Sequence, residues 1–248
     1  MLPPEIDKGD WRLQTTTHLA EDWTSPWTGI KSAKGTRITV VSVVQLTKNK
    51  LLTVPIPNAT ASMLNAASIA YEKARRLRTD SGIDKTLKND VAFHSETDAL
   101  DYIERMIESI VLSFSAIEAF ANESIPADFV FARHNRSEVI LEAADKKTME
   151  RHLSIDEKLT SVLPEVLGCA TPKGTRCWQE YRALKQARDR IIHMKTEVRR
   201  SSSPQVDTVW KAIILAPAPH LAAKAIIDHF VAAMKTKPQW HSRFLHAT

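Results

Sequence analysis

Cysteine is scarce in this chain. Cys169 and Cys177 are the only two, which excludes a small secreted scaffold stapled by disulfides. Six glycines exclude collagen-like and glycine-rich repeat architectures. The sequence has no H-E-x-x-H helix and no paired C-x-x-C, so no metal set is written in it, and neither a metal nor a cofactor is expected. Long apolar runs are also missing. The longest uncharged apolar stretch, 212–223, is broken by Pro217 and Pro219 and falls short of the roughly 20 residues a spanning helix needs. Residues 1–7 have neither the basic start nor the apolar run of a signal peptide. The expectation is a cytoplasmic protein with no membrane partner.

What is present is a chain of 248 residues that are 43% hydrophobic, enough to fill a core and too apolar for a disordered segment. The length suits one large domain, or one domain with an extension. The net charge of +5 permits an anionic partner without demanding one.

The pattern divides the chain near residue 92. Residues 1–92 read as an N-terminal α+β extension. The β-branched stretches 36–44 and 51–56 flank a turn at 47–50 and predict a β-hairpin, with Pro55 and Pro57 putting its second strand at an edge. A helix over 59–77 follows. Residues 93–248 read as helical. Ser95 or Thr97 caps a long first helix whose apolar stripe is Leu100, Ile103, Ile107, Ile110, Phe114, Ile117 and Ala121. A second helix spans 155–167 and stops at Gly168. A third runs from Arg176 through Glu197, and a fourth covers 220–234. Four amphipathic helices of these lengths predict a mainly α fold, an up-and-down bundle with the small α+β extension in front.

The third helix carries the chemistry. Its apolar positions 181, 184 and 191 leave Arg188 on the seam, where a guanidinium needs a carboxylate or phosphate. Asp189 and His193 are four apart and share a face. Arg188 and His193 stand about 140° apart around the helix. On the first helix Ser115, Glu118 and Asn122 form a polar line beside the apolar stripe, and Glu118 is a natural partner for Arg188.

The run Arg188-Asp189-Arg190-Ile191-Ile192-His193 resembles the RxxxxH motif of the HEPN superfamily (higher eukaryotes and prokaryotes nucleotide-binding). Its position on the third bundle helix, after a first helix bearing Phe114-Ser115-Ala116-Ile117-Glu118-Ala119-Phe120-Ala121-Asn122, matches the family's order. The resemblance covers roughly residues 95–235. It implies a HEPN-like bundle and a metal-independent endoribonuclease, acting as a toxin or anti-phage defence effector. It also implies a homodimer whose two motifs face one composite cleft, with an antitoxin or defence-system partner. RNA supplies the 2′-OH that attacks its own phosphate. His193 would relay protons near neutral pH, and Arg188 would meet the developing charge. Asp189 would orient His193 or Arg188, and Glu118 would hold Arg188. Arg190, Lys195 and Asn122 would bind RNA. Some HEPN toxins carry a Tyr two residues after the His, the target of a nucleotidyltransferase antitoxin; Lys195 stands there instead.

Two other readings remain open. One is a non-catalytic HEPN scaffold binding RNA, nucleotide or protein. The other is a helical interaction module outside the family. Arg75, Arg76 and Arg78, the loop 133–136, and Arg199 with Arg200 are basic clusters that are either solvated charge or RNA-steering surface. Trp11, Trp23 and Trp27 are expected in a core, and the histidines other than His193 are expected at the surface.

Overall fold

The computed structural model describes residues 9–14, 16–24, 29–132, 144–196 and 205–244. The chain is mainly α with a small N-terminal β region. It separates into two compact units, one made of Met1–Ser62 with Pro238–Thr248 and the other of Met63–Lys237. This division differs from the boundary drawn in the sequence at residue 92. Most of the helix that follows the hairpin, Ala59–Asp80, falls in the second unit, and the last residues of the chain belong with the first.

In the first unit, β1 (Thr16–His18) pairs antiparallel with β4 (Arg37–Thr39), and β2 (Trp23–Thr24) with β3 (Lys31–Ser32). β5 (Val41–Thr47) and β6 (Lys50–Pro55) form the expected hairpin, with Val44 opposite Leu52 and Val43 opposite Thr53. Lys48 and Asn49 make its turn, tighter than the four residues the sequence suggested. Trp11 packs against Phe244 with ring centroids 5.6 Å apart, and Trp240 and Phe244 of the short helix Gln239–Phe244 are buried. Arg243 ties this helix back by donating to the Gly9 carbonyl. At Gly9 φ is +65°, a backbone conformation that favours glycine. Trp23 is exposed rather than in a core, and Trp27 lies outside the described residues.

The second unit takes most of α1 (Ala59–Asp80) and then α2 (Glu96–Ser124), α3 (Lys146–His152), α4 (Ile155–Glu157), a π-helical turn (Lys158–Val162), α5 (Leu163–Leu167), α6 (Arg176–Ile192), α7 (Val209–Ile214) and α8 (Pro219–Val231). Local chemistry fixes the ends. Ser95 caps α2, Thr175 caps α6 and Thr208 caps α7 through side-chain oxygens that accept from the third residue beyond. Gly168 ends α5 in the left-handed region at φ +60°. α2 is the central helix, packed by α6, α7 and α8. Its Ile110, Phe114, Ile117 and Phe120 are buried; Phe114 stacks on Tyr181 of α6 at 6.2 Å, and Phe120 lies 6.4 Å from Phe230 of α8. Each fully buried aromatic of this kind contributes roughly 2–3 kcal/mol of transfer free energy.

The apolar stripe of α2 needs one correction. Leu100 is 61% exposed, and the early buried residues are Tyr102, Met106 and Ser109. The sequence stripe advanced 3.5 residues per turn, whereas a straight helix takes 3.6, so over three heptads its first member drifts roughly 60° off the core face. Small residues of α1 (Ala67, Ala70, Ala74) are buried in this unit, and Ser109 Oγ donates to the Ala67 carbonyl at 2.9 Å. Among the described residues no helix is long and apolar enough to cross a membrane.

Candidate functional site

α6 ends earlier than its pattern suggested. Ile192 is its last residue and His193 its C-cap, with the His193 N–H donating to the Asp189 carbonyl at 3.0 Å. Continuation to Glu197 is therefore not observed, and Lys195 lies past the helix. The end places His193 on the exposed rim of the unit, free of the helical side-chain geometry.

Arg188 sits on the α2–α6 seam. Its guanidinium carbon lies 4.5 Å from the centroid of the Phe114 ring. Its Nη1 donates to Asp189 Oδ1 at 3.0 Å, and its Nη2 stands 3.7 Å from Glu118 Oε1. The side chain is 28% exposed and that of Glu118 42%. The pairing expected between Glu118 and Arg188 is present, as an ion pair at long range rather than a hydrogen bond. A cation over a ring and between two carboxylates is held in one orientation by three contacts of different kinds.

On the outer side of α6 an open cleft of about 760 Å³ is lined by Asp156, Arg182, Lys185, Asp189, Arg190, His193 and Lys195, among others. Four of the sequence-selected residues (Asp189, Arg190, His193, Lys195) thus share one cleft. Arg188, Glu118 and Asn122 are not in its lining. Asp189 connects the two sides, since it lines the cleft and accepts from Arg188. Arg190 is clamped by both carboxylate oxygens of Asp207, which raises its own pKa and lowers that of Asp207.

Asn122 has a structural occupation. Its Oδ1 accepts from Lys158 Nζ at 2.8 Å, and the same ammonium donates to the Glu150 carbonyl at 3.1 Å. Lys158 opens the π-helical turn and is buried, which pushes its pKa down against the pull of Glu118 and Glu150. The sequence reading missed this residue. The signal was a lysine among Ile155, Leu159 and Val162, at a helical position that belongs to the core.

A second cluster was also missed. Tyr181 donates its buried hydroxyl to Asp156 Oδ1, and Lys185 Nζ donates to Asp156 Oδ2 at 2.7 Å. Burial pushes the Asp156 carboxyl up, but the hydrogen bonds from Lys185 and Tyr181 outweigh it and hold the carboxyl below its usual value. Burial, and next the bond to Asp156, raise the Tyr181 phenol. Tyr181, Lys185 and Asp189 follow one another at steps of four, each turned about 40° from the last, so a polar stripe winds round α6 towards His193 at its cap. That spacing was readable in the sequence.

The other basic clusters divide. Arg75 pairs with Glu72 at 2.8 Å and Arg78 with Asp84 at 2.6 Å. The loop 133–136 and Arg199–Arg200 lie outside the described residues. Cys169 and Cys177 are free thiols. His220 departs from the surface expectation, being only 4% exposed, packed 5.2 Å from Tyr71 and without a hydrogen-bond partner for Nδ1. No family model, curated protein or solved structure matches the chain.

Proposed function

We propose that the chain is a metal-independent endoribonuclease with a HEPN-like helical bundle, a toxin or defence effector working as a homodimer. The observation that carries this reading is the linked pair of positions at the end of α6. His193 stands exposed in a cleft with Lys185, Arg182 and Lys195, while Arg188, one residue from the cleft-lining Asp189, is held on Phe114 between two carboxylates.

The chemistry balances with these groups alone. The 2′-oxygen of a ribose attacks the adjacent phosphorus while His193 of one copy takes its proton. Arg188 donates to the non-bridging oxygens as negative charge builds on them. The bond to the 5′-oxygen breaks, and that oxygen takes a proton from the second copy's imidazolium. The products are a 2′,3′-cyclic phosphate and a 5′-hydroxyl. Arg182 and Lys195 attract the phosphate backbone from the cleft wall, and Lys185 joins them only where its pair with Asp156 opens. Arg190 joins them only where its pair with Asp207 opens, and Asn122 acts through Lys158 rather than on RNA.

One observation favours the non-catalytic reading. Arg188 is engaged by Phe114, Glu118 and Asp189 and is absent from the cleft lining, as in a structural seam. The test is a matched pair of oligonucleotides, one all-RNA and one with a single 2′-deoxy residue at the mapped cut. The proposal expects cleavage of the first and none of the second at that site. Binding of both without cleavage of either supports the scaffold.

A further inference from the structure

The hairpin β5–β6 is uncovered along its length. Val41, Val43, Val44, Leu46, Leu51 and Leu52 are each 45–67% exposed. Val41, Val43 and Leu51 share one face and Val44, Leu46 and Leu52 the other, and a two-stranded ribbon with apolar side chains exposed on both faces is marginal in water on its own.

The two edges of the ribbon differ. Ile56 donates its N–H to the Val40 carbonyl, so antiparallel alternation turns position 55 outward from the pair. That position is Pro55, which has no N–H, and Pro57 beyond it bridges to Leu13. A proline facing outward blunts an edge against further pairing. β5 has no such protection. By the same alternation the N–H and C=O groups of Val41, Val43 and Gln45 point away from β6, in a strand, Val-Ser-Val-Val-Gln-Leu-Thr, with no proline and no charge.

We infer that β5 is a self-association edge, along which two copies of this chain pair antiparallel about a twofold at Val44 to join their hairpins into one four-stranded sheet. The outward positions fit this register, since Val43 of each copy lies opposite Gln45 of the other and the two Val44 residues face each other. Their Cβ atoms stand ~4.5–5.5 Å apart, a favourable distance for β-branched pairs. No like charges meet. The nearest cations, Lys48 of each copy, fall at opposite ends of the paired region, roughly 27 Å apart, well beyond the Debye length in physiological salt. The area also bears on the occupant. A fully exposed chain presents about 160 Å² per residue, so seven half-exposed residues present ~560 Å² per copy, of which edge pairing covers only the side turned to the partner, roughly half. The pair then buries roughly 560 Å², well below the ~1,200 Å² where stable interfaces begin, so the association is a weak one.

The inference concerns a surface other than the ribonuclease site: a monomeric wild type would sink both this interface and the homodimer proposed above, whereas the variants separate the two. Sedimentation velocity of the full chain, from roughly 1 to 200 µM, is compared for wild type, Val44→Lys, Val43→Pro and Leu52→Lys. Val44→Lys sets two ammonium groups opposite each other on the twofold. Val43→Pro removes an outward N–H and leaves the β5–β6 ladder its bonds. Leu52→Lys puts the same charge on the same face of β6, away from the paired edge. The expected result is a wild-type association weakened about tenfold or more by the first two variants and less than about threefold by the third. A wild type monomeric throughout overturns the inference. So does an association unchanged by Val44→Lys and Val43→Pro, which leaves a dimer through the helical unit standing, or one lost equally in Leu52→Lys.

Discussion

Removing the Glu118 carboxylate should cost the helical unit little, and removing the Arg188 side chain should cost it more. The Glu118 oxygen is 3.7 Å from the guanidinium and makes no hydrogen bond to it, and its side chain is 42% exposed. Two unit charges at this distance attract by about 1 kcal/mol in bulk water, and measured pairs of similar exposure fall at ~0.2–1 kcal/mol. Glu118→Ala is therefore expected to lower the unfolding free energy by roughly 0.5 kcal/mol. Arg188→Ala loses the same attraction, the contact to Asp189, and the cation over Phe114, itself worth ~0.5–2 kcal/mol. Together with the stem packing on the seam this gives roughly 1.5–2.5 kcal/mol. Urea unfolding of wild type, both single variants and the double variant closes a double-mutant cycle, with an expected coupling of about 0.5 kcal/mol. A coupling above ~2 kcal/mol, or a Glu118→Ala variant that does not fold, would refute the reasoning. The pair would then be a desolvated core ion pair rather than a half-solvated positioning contact.

Other outcomes follow from the same geometry. Burial lowers the His220 pKa against the opposing pull of Glu72, so the unfolded chain takes up this proton first. Stability should be complete above about pH 6.5 and fall as the pH drops below it. Urea midpoints at about pH 7.5 and 5.5 should differ more for wild type than for His220→Leu, and equal differences would remove His220 from the account. Gly168→Ala forces an L-residue to φ +60° with open space around its Cβ, so the cost is backbone strain alone. A loss of about 1 kcal/mol is expected, mostly recovered by Gly168→Asn, in thermal or urea melts. Asp156→Ala strips the buried Tyr181 hydroxyl of its acceptor and should cost ~1–3 kcal/mol, more than Tyr181→Phe at ~0.5–1.5 kcal/mol. The reverse order would mean that the phenol, not the carboxylate, organises the cluster.

Elements with strong end signals were legible in the sequence. Ser95 with acids after it started α2, Gly168 stopped the second helical stretch, and the alternating β-branched runs marked the hairpin. The end of α6 was not legible, because Met194-Lys195-Thr196 contains no glycine or proline to stop a helix. Helices α3 and α7 are only seven and six residues long and yield too short a pattern for periodicity, although Asp145 and Thr208 cap them. The Glu118–Arg188 pairing was legible because both charges interrupt apolar stripes. Lys158 stood out at an apolar helical position, but nothing in the pattern named its partner Asn122 on α2, and Asp156, at a helix start where an acid is ordinary, gave no sign of Tyr181 and Lys185 on α6. His220 looked like an ordinary polar residue beside Pro219, but it is buried, with Tyr71 packed against it.

The most direct test of the central claim is cleavage of total tRNA and of an unstructured RNA in excess EDTA by wild type, Arg188→Ala and His193→Ala, with the product ends identified. The account predicts cutting by wild type alone, leaving 2′,3′-cyclic phosphate and 5′-hydroxyl ends. Cutting that survives in either variant, or that stops with EDTA and returns with a divalent cation, would contradict it.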